Sequence, residues 1–312
     1  MLHEDEGISP KDNRSNSLIS LIAGSGAGVL CSILCAPLDV AKVRMQVQGS
    51  LKLKKYSTTS HTVMLIYKEE GIRGCFRGLG PTLLVVPLFW GIYWCAYETL
   101  KDKLAANFPK SPPSYIHLSS AVCAGVLGDV ITNPFWVVRT RIQTLALHTH
   151  VSSISSVNMF KTIYQTEGMK AFYKGLSASF LGLSHVAIQF PLYEYLKTQA
   201  QIYRQNSNES REYVRALDIV CASLSAKLVA SLISYPHEVL RARLQDGRAK
   251  EVGILQTINR IIINEGFFNL WAGYRVNLAR IFPATLSTFL TYEYISRYLK
   301  ENSTFAQGRA KE

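Results

Sequence analysis

Four stretches of the sequence contain no Asp, Glu, Lys or Arg and are long enough to cross a lipid bilayer as helices. They run from Ser15 to Leu38, from Gly78 to Tyr97, from Ser111 to Gly128 and from Gly175 to Tyr193. A helix needs ~18 to 20 mostly apolar residues to span the hydrocarbon core of a membrane. The pattern therefore predicts at least four membrane-spanning helices.

Two further apolar segments, at about 214–237 and 274–295, are each interrupted by a basic residue, Lys227 in the first and Arg280 in the second. A charge at membrane depth costs ~2.5 to 3.5 kcal/mol on insertion scales, so it is expected to face the bundle interior or an aqueous cavity. We therefore expect six spans, with both basic residues serving function. The alternative is a soluble helical protein whose apolar helices form a buried core.

Composition excludes several other classes of protein. The 312 residues carry a net charge of +12, yet only 18% of them are charged, against ~25% in an average soluble domain. A soluble nucleic-acid-binding protein would carry more charge, and 11% aromatic residues argue against a disordered basic chain. The six cysteines show no paired metal-type spacing, so neither a metal site nor a disulfide framework is expected. No set of nucleophile, base or paired carboxylates recurs, which argues against an enzyme.

Three sequence motifs each occur three times along the chain. The first, proline followed by an acidic residue, two basic residues and a glutamine, begins at Pro37, Pro134 and Pro236, with Trp136 in place of the acidic residue in the second copy. The second, Glu-Gly followed by an aromatic residue and a glycine, begins at Glu70, Glu167 and Glu265. The third, Tyr-Glu followed by a basic residue or serine, begins at Tyr97, Tyr193 and Tyr292. Such repetition indicates three copies of one structural unit.

With these motifs the chain resembles the mitochondrial carrier family over nearly all of its length. The resemblance implies an all-α membrane fold of six tilted transmembrane helices in three pseudo-threefold repeats, enclosing a central substrate cavity. The repeats are expected at residues 16–110, 111–209 and 210–302, between flexible tails at 1–15 and 303–312. A short helix on the matrix side is expected in each repeat, at about 57–69, 155–166 and 254–264.

The resemblance also implies an ionic gate on the matrix side. Proline removes a backbone donor and bends a helix, so kinks that bring the odd-numbered helices together are expected at Pro37, Pro134 and Pro236. Just beyond these kinks, Asp39 is expected to pair with Arg139, and Glu238 with Lys42.

The third pair of the family scheme is incomplete in this sequence. It would involve Arg241, but Trp136 stands at the position of its acid. We expect two matrix-side ion pairs, with Trp136 contributing packing or stacking on an arginine. Glutamine amides can hydrogen-bond both members of an ion pair, and the three bracing positions are Gln46, Gln143 and Gln245.

A second gate is expected on the cytoplasmic side, built from the Tyr-Glu motifs. The two expected pairs are Glu98 with Lys197 and Glu293 with Lys101. Glu194 faces Ser296, so neighbouring Arg297 would have to replace the missing base. Two gates of similar strength suit alternating access, because the two states must lie within a few kcal/mol of each other.

The substrate is expected to bind at mid-depth of the cavity, where the repeats differ from one another. The candidate substrate-binding residues are Trp90, Tyr93, Gly182, Leu183, His185, Lys227 and Arg280. Aromatic rings can stack on a flat heterocycle, and basic side chains can hold phosphates. Each residue also has a simpler explanation, such as a lipid-facing aromatic, a packing glycine or a hydrogen-bonded core histidine. Asp129 is interpreted as a countercharge to Lys227 or Arg280.

Local sequence narrows the branch of the family. The segments from Asn133 to Arg141, Ser184 to Glu194 and Tyr235 to Gln245 resemble the group of NAD, pyrimidine-nucleotide and folate/FAD carriers, and most of all its NAD carriers. The resemblance implies transport of NAD or a related nucleotide cofactor, in exchange for another nucleotide. A folate/FAD carrier is the first alternative and a pyrimidine-nucleotide carrier the second. A non-transporting membrane protein of the same fold remains a further alternative.

The resemblance also sets expectations for location and partners. A multi-pass protein of the mitochondrial inner membrane is expected, with peroxisomal and plastid membranes as alternatives. The acidic start, His3 to Glu6, does not resemble a transit peptide, and carriers use internal targeting signals. Basic residues on the matrix side suit anionic lipid headgroups, with cardiolipin as the expected lipid. We expect a monomer that needs no cofactor, binds no metal and does not bind nucleic acid.

Overall fold

The computed structural model describes residues 10–51, 55–109, 111–148, 154–207, 212–247 and 253–309. Within these ranges the chain consists of helices joined by short turns, and no strand occurs. The all-α fold class expected from the sequence is therefore confirmed.

Six long helical segments follow one another along the chain, and two of them are broken. They are α1 (Pro10–Val47), α3 (Leu79–Asn107), α4 (Pro113–Thr144), α6 (Leu176–Gly182) with α7 (Ser184–Ser207), α8 (Glu212–Ser234) with α9 (Pro236–Asp246), and α11 (Tyr274–Arg309). One shorter helix lies between the two long segments of each repeat. These helices are α2 (Thr59–Cys75), α5 (Ser156–Glu167) and α10 (Ile254–Asn264). The short helices agree with those expected within each repeat.

Four stretches of helix are long and apolar enough to span a membrane, judged by length and composition alone. These are Ala23–Leu51, Leu79–Asn107, Tyr115–Leu147 and Met169–Tyr203. The pair α8 and α9, bent by 50° at its break, qualifies as a fifth span. Helix α11 is less apolar because it carries residues such as Asn277 and Arg280, and its place as the sixth span follows from its packing.

The six segments close into a ring through contacts between neighbouring repeats. Helix α1 packs along α11, α3 along α4, and α7 along α8. Each of these contacts joins the second long segment of one repeat to the first of the next. Small residues allow such close approach in lipid; a Cβ atom on Gly26, for example, would lie 2.7 Å from Cδ1 of Ile295.

At one end of the ring the three odd-numbered segments come together. Helices α1, α4 and α9 contact one another there, each just after its motif proline. We call this the signature end and the opposite end the far end. Pro37 and Pro134 lie inside continuous helices, whereas Pro236 begins α9 after the 50° bend. The bend predicted at Pro236 is therefore present.

Two glycines in each repeat have a backbone conformation that other residues rarely adopt. The first glycine follows the motif glutamate, with φ of +66°, +76° and +92° at Gly71, Gly168 and Gly266. The second precedes a long helix, with φ of +79°, +79° and +82° at Gly78, Gly175 and Gly273. This conformation explains why glycine recurs at these positions of the second motif.

The ends of the chain differ from expectation where the structure describes them. Helix α1 begins at Pro10, so residues 10–15 are helical and not a flexible tail. Helix α11 continues to Arg309, past the expected boundary at residue 302. Both extensions continue a transmembrane helix without a helix-breaking residue at the expected boundary. Residues 1–9 and 310–312 of the expected tails lie outside the described part of the chain.

Candidate functional site

Three arginines join the repeats to one another at the signature end. Arg44, Arg141 and Arg243 each form an ion pair with the Glu-Gly glutamate of their own repeat, which is Glu70, Glu167 or Glu265. Their Nε atoms donate hydrogen bonds of 2.9, 3.1 and 3.0 Å to the backbone oxygens of Gln143, Gln245 and Gln46, respectively. Because each glutamine belongs to a different repeat from its arginine, the contacts form a closed belt, which we call the arginine belt.

The sequence interpretation did not find the arginine belt, because it treated the first and second motifs separately. Their regular spacing was the available signal, since the glutamate follows the arginine by 26, 26 and 22 residues. Partial burial by itself raises the pKa of Glu167, but hydrogen bonds from Arg141 and Lys174 outweigh it and lower that pKa from 4.5 to about 2. Glu167 is therefore ionised at neutral pH and holds both bases.

Inside the belt, the signature end is closed by charged and aromatic side chains. We call this group the cavity floor; its members are Asp39, Lys42, Trp136, Arg139, Glu238 and Arg241. Nη2 of Arg139 lies 2.9 Å from Oδ2 of Asp39, and Lys42 forms an ion pair with Glu238. Both pairings that the motif register predicted are thus present, and each joins two repeats.

Trp136 lies between two arginines of the floor. Its ring centroid is 5.2 Å from Cζ of Arg139 and 5.2 Å from Cζ of Arg241, within the range of a cation–π interaction. The sequence predicted stacking on one arginine, and the structure shows contact with two.

The interpretation of Asp129 as a countercharge to Lys227 or Arg280 is wrong. Oδ1 of Asp129 lies 3.7 Å from Nη2 of Arg241 instead, because the α4 helix places it two turns before Trp136. A third acid therefore lies next to a motif base of the floor, which the motif register alone did not predict.

Arg280, expected at mid-depth of the cavity, reaches down to the floor. Its Nε atom lies 2.7 Å from Oδ1 of Asp39, so Asp39 is shared between Arg139 and Arg280. Lys42 likewise has two partners, since its Nζ donates a 2.8 Å hydrogen bond to Oδ1 of Asn277. The α11 helix is thus coupled directly to both ion pairs of the floor.

The three motif glutamines do not brace ion pairs through their side chains in the described structure. Gln46 donates to the hydroxyl of Tyr235 at 3.1 Å, and Gln245 accepts from Thr140 at 2.8 Å. The side-chain oxygen of Gln143 has no hydrogen-bond partner among the described residues. The belt arginines bind the backbone oxygens of these glutamines, so the recurrence of glutamine in the three repeats coincides with contacts between repeats in this conformation.

At the far end, the bases of the Tyr-Glu motifs pair within their own helices. Lys101 lies 4.0 Å from Asp102, and Lys197 lies 3.7 Å from Glu194. Arg297, expected to serve Glu194, pairs with Glu293 one turn away. The interhelical pairs of Glu98 with Lys197 and of Glu293 with Lys101 do not occur among the described contacts, and Ser296 adds no charge. The described structure is therefore closed at the signature end only.

Two cavities above the floor share Arg280, His237 and Glu238 in their walls. Their volumes are about 1160 and 970 Å³, counting space open to solvent. The second cavity is also lined by three predicted substrate residues, Gly182, His185 and Lys227. Glu238 is the acidic residue in the described wall of that cavity, and it is already paired with Lys42. Counting Lys227 and Arg280 against Glu238, the described wall of this cavity carries one more positive than negative charge.

Two of these wall residues differ in detail from the prediction. A Cβ atom on Gly182 would lie 2.7 Å from Nε2 of His237, so the flat ring that approaches this glycine is an imidazole of the protein. Nδ1 of His185 lies 3.0 Å from Oγ of Ser234 on the neighbouring α8 helix. His185 is thus both a cavity residue and a hydrogen-bonded contact between helices.

The other three predicted substrate residues lie outside the walls of these two cavities. Leu183 packs between helices, since a Cβ atom on Gly125 would lie 2.9 Å from its Cδ2. Tyr93 is stacked between Phe89 and Tyr97, with ring centroids 6.3 and 6.1 Å away. Trp90 is half-exposed and makes edge contacts with this stack. These aromatic residues form a ladder along α3 above the floor.

A closed ring of membrane-spanning helices around a basic cavity, with charged residues sealing one end, defines the class of multi-pass membrane transport proteins. The protein family model for "Mitochondrial carrier protein" matches residues 13–108, 110–204 and 214–303 of this chain. The chain belongs to the mitochondrial carrier family, and the three matched ranges correspond to its three repeats.

Named relatives cover almost the whole chain. The "Nicotinamide adenine dinucleotide transporter 1, chloroplastic" of Arabidopsis thaliana is 36% identical, over 92% of this chain and 94% of the relative. The "Mitochondrial nicotinamide adenine dinucleotide transporter 1" of Saccharomyces cerevisiae is 34% identical, over 93% of this chain and 79% of the relative. The "Solute carrier family 25 member 36-A" of Danio rerio is 33% identical, over 91% of this chain and 98% of the relative.

Proposed function

We propose that this protein transports NAD or a related nucleotide cofactor across a membrane by alternating access, in exchange for another nucleotide. The observation that carries the proposal is the cavity wall that contains Lys227 and Arg280 without an unpaired acid among its described residues. Similarity to relatives named as nicotinamide adenine dinucleotide transporters, from a plant and a yeast, supports the choice of substrate.

The wall chemistry suits a phosphorylated substrate. A guanidinium can hold phosphate oxygens through two parallel hydrogen bonds, and an ammonium adds a compact positive charge. Arg280 is the key residue here because it already binds the carboxylate of Asp39. A phosphate that binds Arg280 would compete with Asp39 and so weaken the floor from inside the cavity.

The floor serves as the matrix-side gate in this proposal, and the Tyr-Glu motifs serve as the cytoplasmic gate. The contacts that support this assignment are the Asp39–Arg139 and Lys42–Glu238 pairs between repeats. Opening the floor breaks both pairs, and forming pairs between helices at the far end compensates for part of that cost. Substrate can shift such an equilibrium only by binding one state more tightly than the other.

The substrate is tested by reconstituting the purified protein into liposomes preloaded with unlabelled nucleotide. Uptake of labelled NAD, FAD, folate and UTP is then measured with and without internal AMP or ADP. We expect saturable NAD uptake that depends on internal nucleotide. Saturable FAD or folate uptake without NAD uptake would favour the first alternative, and UTP uptake alone would favour a pyrimidine-nucleotide carrier.

The cavity assignment is tested with Arg280→Ala and Lys227→Ala. Each removes a positive charge from the wall, so uptake is expected to be abolished while folded protein is still recovered from the membrane. Arg275→Ala is the matched control, because Arg275 is exposed on the same helix and lies outside both cavity walls. Near-normal uptake by both cavity variants would contradict the assignment.

The remaining parts of the proposal concern location and partners. We propose the mitochondrial inner membrane, a monomeric state, bound cardiolipin and no cofactor requirement. The membrane location is tested by fractionation of cells that express a tagged chain; recovery in plastids or peroxisomes would contradict it, and one relative's name is chloroplastic. Mass determination of the detergent-solubilised protein, with lipid analysis of the same sample, tests the monomer and the lipid.

A further inference from the structure

Arg241 has no acid at its motif position, yet it is partly buried at the cavity floor. Its guanidinium contacts the ring of Trp136, which stands where the motif acid would be. An indole ring attracts a cation but carries no negative charge, so it cannot neutralise a partly buried arginine. The nearby Glu238 is ion-paired with Lys42. Charge balance at the floor therefore requires another acid.

Asp129 meets that requirement by position and by burial. It is only 7% exposed, and Oδ1 lies 3.7 Å from Nη2 of Arg241. An isolated buried carboxylate is strongly unfavourable, so a buried Asp needs a partner. Among the described residues, Arg241 is the base with which Asp129 forms an ion pair.

The helix geometry shows how Asp129 replaces the motif acid. Asp129 precedes Trp136 by seven residues on α4, which is two helical turns and about 10 Å along the axis. Seven residues return to nearly the same face of a helix, so both positions face the third repeat. Asp129 therefore lies two turns nearer the far end than the motif position, which Trp136 occupies.

The complete floor then balances three acids against three motif bases. The pairs are Asp39 with Arg139, Glu238 with Lys42, and Asp129 with Arg241. Arg280 is the additional base, and it shares Asp39. Each of the three contacts joins a different pair of repeats, so each resists separation at a different point around the axis.

We propose that Asp129 is a positioning residue that supplies the third interrepeat ion pair of the matrix-side gate, two helical turns away from the motif position. The inference rests on the proposed function, since a gate has meaning only in a transporter. In this proposal the matrix-side gate has three ion pairs instead of two, and Trp136 packs between two arginines.

The test moves the acid back to the motif position. Asp129→Asn is expected to lower the maximal rate of nucleotide exchange at least about tenfold and to lower the melting temperature in detergent. The double variant Asp129→Asn with Trp136→Glu is expected to recover both, to within about threefold of the wild-type rate, because a carboxylate again faces Arg241. Glu69→Gln is the control, since Glu69 is exposed on α2, pairs with Lys55 and lies outside both cavity walls.

Rescue by relocation separates gating from a structural role of Asp129. A carboxylate needed only for local folding of α4 would not be replaced by one two turns away. The proposal is overturned when Asp129→Asn behaves like the wild type, or when the double variant is no better than Asp129→Asn. If Asp129→Asn yields no folded protein, recovery of folded protein by the double variant supports the proposal and failure to recover it overturns it.

The melting comparison keeps this inference distinguishable from the proposed function. It needs no substrate, because it reports the strength of contacts between repeats. A wild-type protein that exchanges none of the tested nucleotides would overturn the proposed function, while the melting temperatures of the three variants would still decide the role of Asp129.

Discussion

Gly78 links a local backbone conformation to the contact between two repeats. Its φ of +79° is strained for a residue with a Cβ atom, and a Cβ there would lie 2.9 Å from Cγ of Gln143 in the next repeat. The glycine therefore serves two needs at once, a turn before α3 and a close approach to α4.

Gly78→Ala is expected to destabilise the protein by at least ~1 to 2 kcal/mol from backbone strain alone, with a further cost from displacing Gln143. Gly80→Ala, two residues on, is the matched control, because its Cβ would meet only Oγ of Ser156 at 3.9 Å. The melting temperature in detergent should fall for the first variant and stay close to wild type for the second. Equal melting temperatures would contradict the role given to Gly78.

The sequence predicted which residues form the cavity floor better than it predicted the contacts between them. Register across the three motifs was enough to predict Asp39 with Arg139 and Glu238 with Lys42, since symmetric positions meet at the axis. The motif register did not predict the contact of Asp129 with Arg241 or the contact of Arg280 with Asp39. Those contacts break the repeat symmetry, and they depend on the lengths and directions of long side chains.

At the scale of elements, the break between α8 and α9 is stabilised by a side chain from the following segment. Pro236 has no backbone N–H to donate to the carbonyl oxygen of Leu232, one turn earlier. Nε1 of Trp271 donates a 2.7 Å hydrogen bond to that oxygen instead. Trp271 comes from the aromatic position of the second motif in the third repeat, so one motif compensates for the kink that another introduces.

Trp271→Phe keeps most of the ring but removes the donor. The carbonyl of Leu232 is then left without this partner, so a loss of about 0.5 to 1.5 kcal/mol in stability is expected. Trp94→Phe is the control, because Trp94 is exposed on α3. Thermal unfolding of both variants in the same detergent measures the difference, and the hydrogen bond has no role in stability if the two variants unfold alike.

Helix existence was predictable because apolar length and motif spacing are properties of the sequence alone. The short helices α2, α5 and α10 were expected almost where they occur. The break of the fourth span at Leu183 was not predicted, because no proline or charge marks it. Leu183 keeps helical φ and ψ of −62° and −23°, but its N–H bonds to the carbonyl of Phe180, three residues earlier, where the ring of His237 packs against Gly182.

At the scale of the whole molecule, the two ends of the ring are unequal. The signature end is held by the arginine belt and by ion pairs between repeats, whereas the described bases of the far end pair within their own helices. Ser296 stands where the register would place the third base of the far end. The imbalance suggests that the far end closes with fewer ion pairs than the signature end.

Ser296→Lys adds the missing base opposite Glu194. The new pair forms only when the far end closes, so it should stabilise that state by up to ~1 kcal/mol and change the population ratio up to about fivefold. The maximal exchange rate should change accordingly, as measured in preloaded liposomes, and the change should shrink at high salt. Ser296→Ala is the control. Identical rates for the two variants would show that no such pair forms.

The ring closes between its first and last long helices in the same way as it closes inside the chain. Helix α1 packs along α11 as α3 packs along α4 and α7 along α8, and α1 begins and α11 ends on the same side of the ring. In terms of packing, the contact between α11 and α1 is therefore equivalent to the two contacts that join successive repeats. A circular permutation that opened either linker and joined the end of α11 to the start of α1 would keep the described contacts of these three helix pairs, so the pairs do not depend on the order of the repeats along the chain.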